Sequence, residues 1–147
     1  MCLSYDRSAT EKLIEDCKKS GDKYIVCYKT ILYFAGTITS QFYPHKWTSG
    51  WNYARDDFGN SLDPKNDYIT KDTSLNLGYT RLTIEEGIHV FRNKPMGYPT
   101  NNVYVLPVRC YLKDILGSNI YLGEATFRKV WVDKSEIGKI VEDKQCV

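Results

Sequence analysis

Residues 79–113 read Y-T-R-L-T-I-E-E-G-I-H-V-F-R-N-K-P-M-G-Y-P-T-N-N-V-Y-V-L-P-V-R-C-Y-L-K, and two strand-like runs inside them decide the fold class. In the first, Ile88 to Arg92, one face carries His89 and Phe91 and the other Ile88, Val90 and Arg92. In the second, Val103 to Leu112, Tyr104, Leu106, Val108 and Cys110 oppose Val103, Val105, Pro107, Arg109 and Tyr111. Such alternation of β-branched and aromatic residues predicts strands, and the Pro-, Gly- and Asn-rich segment between them predicts the loop of a central hairpin. Arg109 is out of keeping with its apolar neighbours. A guanidinium buried alone costs several kcal/mol, so it must meet water, a carboxylate or an anionic ligand. Val105, Val108 and Leu112 cannot satisfy its donors, and a ligand phosphate is the expected partner.

Toward the N-terminus, Ser8-Ala-Thr-Glu11 reads as a capping box, opening a helix that runs to about Ser20 and stops at Gly21. Its narrow stripe of Leu13, Ile14 and Cys17 predicts a helix laid on the sheet or on a second subunit. Lys23 to Tyr28 and Thr30 to Phe34 read as a strand pair or one long strand, and Thr37 to Tyr43 continue the pattern beyond Gly36. Residues 44–76 are dense in turn residues and read as a long loop, which in a compact domain is functional or mobile. Trp47 and Trp51 within it suit a lid over 44–58 that closes on a ligand.

Toward the C-terminus, Asp114 to Asn119 reads as a turn. Ile120 to Leu122 and Gly123 to Asp133 read as the last strands, and Ser135 to Asp143 as a short helix or an extended tail. The expectation is a single α+β domain over residues 1–147. It has an N-terminal helix in 1–21, a twisted antiparallel β-sheet core in 22–133 that includes loop 44–76, and a C-terminal tail in 134–147.

Composition excludes several functions. A net charge of +2 without a Lys/Arg stripe does not suit a nucleic-acid polymer as partner. No apolar run is long enough for a membrane span, and Met1 to Ser8 lacks the apolar stretch of a signal peptide, so a cytosolic protein is expected. Five cysteines without a C-x-x-C and only two histidines suit neither a disulfide framework nor a metal site, and no cofactor is expected. There is no Gly-rich phosphate loop, G-x-S-x-G elbow or H-E-x-x-H. A Cys110–His89 pair on neighbouring strands is disfavoured as a nucleophile, because Cys110 lies on the apolar face. Glu85-Glu86 reads as a solvated corner.

The remaining groups suit an anion that carries a flat ring. Arg109, Arg92, Lys94, Lys113, Arg128 and Lys129 lie on adjacent strands or their ends, and guanidinium donors match phosphate oxygens. His89, Phe91, Trp47, Trp51 and Tyr104 can stack on a base, while Asn93, Asn101 and Asn102 can read its edge or a ribose. Twelve Tyr, five Phe and three Trp make stacking easy to supply. The plainer assignment puts Phe91 and Trp131 in the core, leaves Arg92 and Lys94 solvated, and pairs Arg109 with a carboxylate such as Glu124.

The runs K-Y-I-V-C-Y-K, G-I-H-V-F-R-N, V-Y-V-L-P-V-R-C-Y-L and G-E-A-T-F-R-K-V-W-V, spread over residues 22–133, resemble a family of small phage proteins. These are the anti-Thoeris signal sponges of the first described type. The resemblance implies a non-enzymatic role in the cytoplasm of an infected bacterial host. Such sponges sequester a cyclic ADP-ribose isomer, glyco-cyclic ADP-ribose made from NAD by a TIR protein, and so silence anti-phage defence. It also implies homodimers or hexamers with pockets at subunit junctions, and some members take up cyclic di- or trinucleotides. Arg109 stands where a phosphate-binding arginine is expected; Phe91, Asn93, Arg55 and Arg128 are the other positions carried over. The rivals are an enzyme acting on NAD or a cyclic nucleotide, with Glu86 or Glu124 as its acid, and a phage protein-interaction module that grips a partner through loop 44–58.

Overall fold

Ile88–Phe91 and Val103–Tyr111 are strands, yet they form no hairpin, because Tyr24–Phe34 runs between them. A computed structural model of the chain describes residues 3–4, 7–20, 24–40, 46–54, 69–72, 81–84, 87–119 and 123–145. In chain order the elements are β1 (Leu3–Ser4), α1 (Arg7–Ser20), β2 (Tyr24–Phe34), β3 (Thr37–Ser40), β4 (Gly50–Tyr53), β5 (Ile69–Asp72) and β6 (Arg81–Ile84). Then come β7 (Ile88–Phe91), β8 (Val103–Tyr111), β9 (Ile115–Asn119), β10 (Glu124–Phe127), β11 (Lys129–Val132) and α2 (Lys134–Gln145). Among the described residues they build an antiparallel sheet in the order β4-β11-β8-β2-β7-β10-β9, with β3 beside β2, and a small sheet β1-β6-β5. The α+β architecture is as expected.

The spine is β2. Its run Y-I-V-C-Y-K-T-I-L-Y-F is one long strand that pairs with β8 from Tyr24↔Tyr111 to Leu32↔Val103. Its other edge is shared: Tyr28 pairs with Phe91 of β7, and Ile31 to Phe34 pair with β3. Ala35 and Gly36, with φ of 51° and 76°, make the two-residue turn into β3, a geometry that matches the right-handed twist of the strands.

The buried face of this sheet carries Cys27, Ile31, Leu106, Val108, Cys110, Ala125, Phe127, Val130 and Val132. Fully burying a side chain of this kind contributes roughly 1.5–3 kcal/mol, so this face dominates stability. Leu13 of α1 and Ile140 of α2 join the same cluster. Helix α1 begins at Arg7, one residue ahead of the expected cap Ser8, and buried Thr10 accepts a hydrogen bond from the Ser118 amide at 2.9 Å.

Besides the hairpin, two sequence expectations are corrected. Asp114 to Asn119 is not a turn: a 3-10 turn at Leu112–Asp114 leads into β9, whose Leu116 and Ser118 are buried. The loop over 44–76 contains β4 and β5, and Asn52 locks the approach to β4 by bonding Thr48 N, Thr48 O and Gly50 O. Of the two C-terminal alternatives the helix holds: α2 forms because Ile137, Ile140 and Val141 recur at helical spacing and Ile140 is buried. Gly21, Arg55, Glu85, Glu86 and residues 120–122 lie outside the described residues.

Candidate functional site

Arg109 points from the half-exposed side of β8, where alternation also places Val105, Pro107 and Tyr111. Its partner is a carboxylate: Nη2 lies 2.6 Å from Asp133 Oδ2. Asp133 Oδ1 in turn accepts the Trp131 indole N–H at 3.0 Å, and the guanidinium sits 5.1 Å from the centre of the Tyr24 ring. The expectation that Arg109 needs an anion holds. That anion is a protein carboxylate, as the plainer assignment had it, with Asp133 rather than Glu124 in the role.

Around Arg109 the sheet presents a continuous aromatic and cationic face. The registers Tyr24↔Tyr111, Val26↔Arg109, Trp131↔Arg109, Trp131↔Trp51 and Lys129↔Tyr53 bring outward residues of four strands side by side. Ring centres lie 5.4 Å apart for Tyr24–Tyr111, 5.4 Å for Trp51–Tyr111 and 5.3 Å for Trp51–Trp131, within the range of tilted and edge-to-face pairs. Lys129 Nζ lies 4.3 Å from the Trp51 ring centre and 5.9 Å from that of Tyr53. Such a face offers flat π surfaces beside fixed positive charge, the two features that hold a base and a phosphate.

The sequence-predicted residues divide. Phe91 shares the outward side through its pairing with Tyr28, which itself pairs with Pro107, so Phe91 lies on Arg109's face across β2. His89 is on that side of β7 as well. However, burial and the nearby Lys29 charge pull its pKa down to about 4, so at neutral pH it is uncharged, with Nδ1 buried and without a partner. Trp47 is buried in the core, its indole donating to Ser40 Oγ at 2.8 Å, and Trp51 is fixed in β4; neither forms a lid tip. Arg128 interrupts the strands between β10 and β11 and donates to the Ile115 carbonyl at 3.1 Å.

Asn101 and Asn102 have a conformational reason to be asparagine. Their φ values of 48° and 65° form a tight turn closed by Val103 N donating to Thr100 O at 2.8 Å and by the reciprocal bond at 3.1 Å. Arg92, Asn93 and Lys94 follow β7 in the same connection, with Asn93 and Lys94 exposed. Tyr104 belongs to the buried face, edge-on to Tyr33.

The Cys110–His89 pairing is corrected: β2 separates their strands, and Cys110 instead neighbours Cys27 on the buried face. The hydrogen bond between the two thiols and burial push Cys110 up, so it stays a neutral thiol. Lys29, also on β2, donates to the His89 carbonyl at 2.9 Å; burial lowers its pKa to about 8, partly countered by Glu124.

Tyr24, Tyr53, Tyr111 and Trp131 are members of the face that the sequence did not mark as ligand-binding residues, whereas Lys129 stood among its expected cations. Their signal was the period-two alternation within each run, read together with the pairing of four runs. Among the described residues no three His, Cys, Asp or Glu side chains are placed to hold a metal, and no helix is long and apolar enough to cross a membrane. Comparison with protein-family models, curated proteins and solved structures finds no match.

Proposed function

We propose that the chain is a non-enzymatic binding protein that sequesters a nucleotide of the cyclic ADP-ribose class on the outward face of β2, β8, β11 and β4. One observation carries the reading: Tyr24, Tyr111, Trp51 and Trp131 adjoin Arg109 and Lys129 on one continuous, part-exposed patch. Stacking of a base on an aromatic ring contributes about 1–3 kcal/mol, and guanidinium and ammonium groups add charge-assisted bonds to a diphosphate. Nanomolar capture requires about −12 kcal/mol, which lies near the ceiling for a ligand with a few tens of heavy atoms. In this role the protein works in the cytoplasm of an infected bacterium, as a dimer or larger homo-oligomer, and withholds glyco-cyclic ADP-ribose made by a TIR protein from its effector. Cyclic di- and trinucleotides are further ligands of the same chemistry.

The test combines native mass spectrometry with recovery. The protein should retain the mass of a cyclic ADP-ribose isomer and, once denatured, return it intact. Consumed ligand would replace the reading with an enzyme, and no retained mass under saturating ligand would remove it.

A protein-docking role is the second reading, favoured by Val26 and Tyr53, which are 48% and 44% exposed beside the rings. Under it, a partner protein protects Trp51 from oxidation while nucleotides do not.

A further inference from the structure

We propose that Asp133 is a built-in competitor for the anion position at Arg109, so that the face admits ligands whose negative charge can displace it. This deepens the binding role proposed above and rests on it. Asp133 Oδ2, 2.6 Å from Arg109 Nη2, occupies the place that a phosphate oxygen takes on a guanidinium. Its other oxygen accepts the Trp131 indole N–H at 3.0 Å, so one carboxylate ties the cation to one of the rings.

Three features make the contact exchangeable. The pair is open to water, with side chains 37% and 35% exposed, and ion pairs so exposed are weakly held. Asp133 directly precedes α2, and its backbone carbonyl already accepts the Glu136 amide at 3.1 Å. The displaced carboxylate therefore has free amides of the first helical turn within local reach. Finally, Lys129 lies two residues before Trp131 on the same side of β11, and Trp131 is the cross-strand partner of Arg109. A diphosphate can thus engage a second cation that Asp133 does not reach, which favours the exchange. A neutral ring brings no charge to Arg109 and leaves Asp133 in place.

The experiment is calorimetric titration of the full chain and of Asp133→Asn with cyclic ADP-ribose and with adenosine. Asparagine keeps an oxygen for the Trp131 indole and removes the negative charge. Cyclic ADP-ribose should bind the variant about tenfold more tightly, while adenosine binding stays unchanged. In an Arg109→Gln background, Asp133→Asn should change neither affinity. Equal cyclic ADP-ribose affinity in wild type and Asp133→Asn overturns the competitor role and leaves the binding reading intact. Absence of cyclic ADP-ribose binding in both proteins overturns the reading itself, and the inference with it. A second measurement needs no substitution at Asp133. The Trp131 indole N–H, assigned through Trp131→Phe, should exchange with solvent faster at saturating cyclic ADP-ribose; undiminished protection overturns the proposal.

Discussion

Lys29 and Arg109 are basic residues set mid-strand in the adjacent strands β2 and β8, but on opposite sides of the pair. Lys29 lies on the closed side, in register with Leu106, and donates a hydrogen bond to the backbone carbonyl of His89. Arg109 lies on the open side, with a carboxylate, an aromatic ring and water around it. The closed side therefore works against its charge and the open side accommodates one. An always-charged guanidinium suits the second position, and a group able to release its proton suits the first.

The largest expected effect separates the two sides by packing. Leu106→Ala should cost about 2–5 kcal/mol, the usual range for a fully buried leucine. Val26→Ala on the open side should stay within about 0.5 kcal/mol. Guanidinium unfolding measures both, and similar losses would mean that the outward face is covered in the folded protein.

Next comes the charge on the closed side. The folded-state pKa of Lys29, about 8, lies below its ordinary 10.5, so between those values the unfolded chain holds a proton that the folded chain has lost. Stability therefore rises with pH across this window, and the penalty is fully present below it. Lys29→Met should be the more stable protein at pH 7.5. Wild type should close the gap by on the order of 1–3 kcal/mol by pH 10. A gap independent of pH, in denaturation midpoints at the two values, would show that Lys29 is not desolvated.

Last comes the charge on the open side, tested by Arg109→Ala. A part-exposed ion pair and a cation–ring contact together contribute about 1 kcal/mol, a shift of a few degrees in melting temperature. A loss of 3–5 kcal/mol would place the pair in the class of buried ion pairs and erase the contrast with Lys29.

Much of this was legible in the chain, and the misses have physical causes. The alternation from Val103 to Tyr111 correctly separated buried Leu106, Val108 and Cys110 from outward Arg109 and Tyr111, because a strand's period needs no knowledge of its neighbours. Which strand lies beside which does need it: the false hairpin came from assuming that runs close in sequence are close in the sheet. Gly117, Ser118 and Asn119 read as turn residues, yet pairing with β10, which buries Gly117 and Ser118, overrides that propensity. Helix α2 was weak in sequence because Gly138 interrupts a short stripe. Asp133 was invisible as Arg109's partner because the contact depends on the pairing of β11 with β8. The aromatic face was hidden for the same reason, with only one or two rings outward in each run. Arg109's need for an anion was readable because desolvation of a guanidinium is costly wherever it occurs.

The β2–β8 pairing also has a consequence during synthesis. Leu32 meets Val103 and Tyr24 meets Tyr111, so β2 waits for roughly seventy to ninety further residues before its long edge is covered. At 5–20 residues per second this is roughly four to seventeen seconds of exposure, and β3 can shield only part of the other edge. A run such as Y-I-V-C-Y-K-T-I-L-Y-F is prone to pair with another nascent copy, and Lys29 is the one charge that opposes it. Lys29→Met should thus leave a more stable folded protein at neutral pH and a lower soluble yield from the ribosome, two outcomes that a single stability measurement would not reveal together.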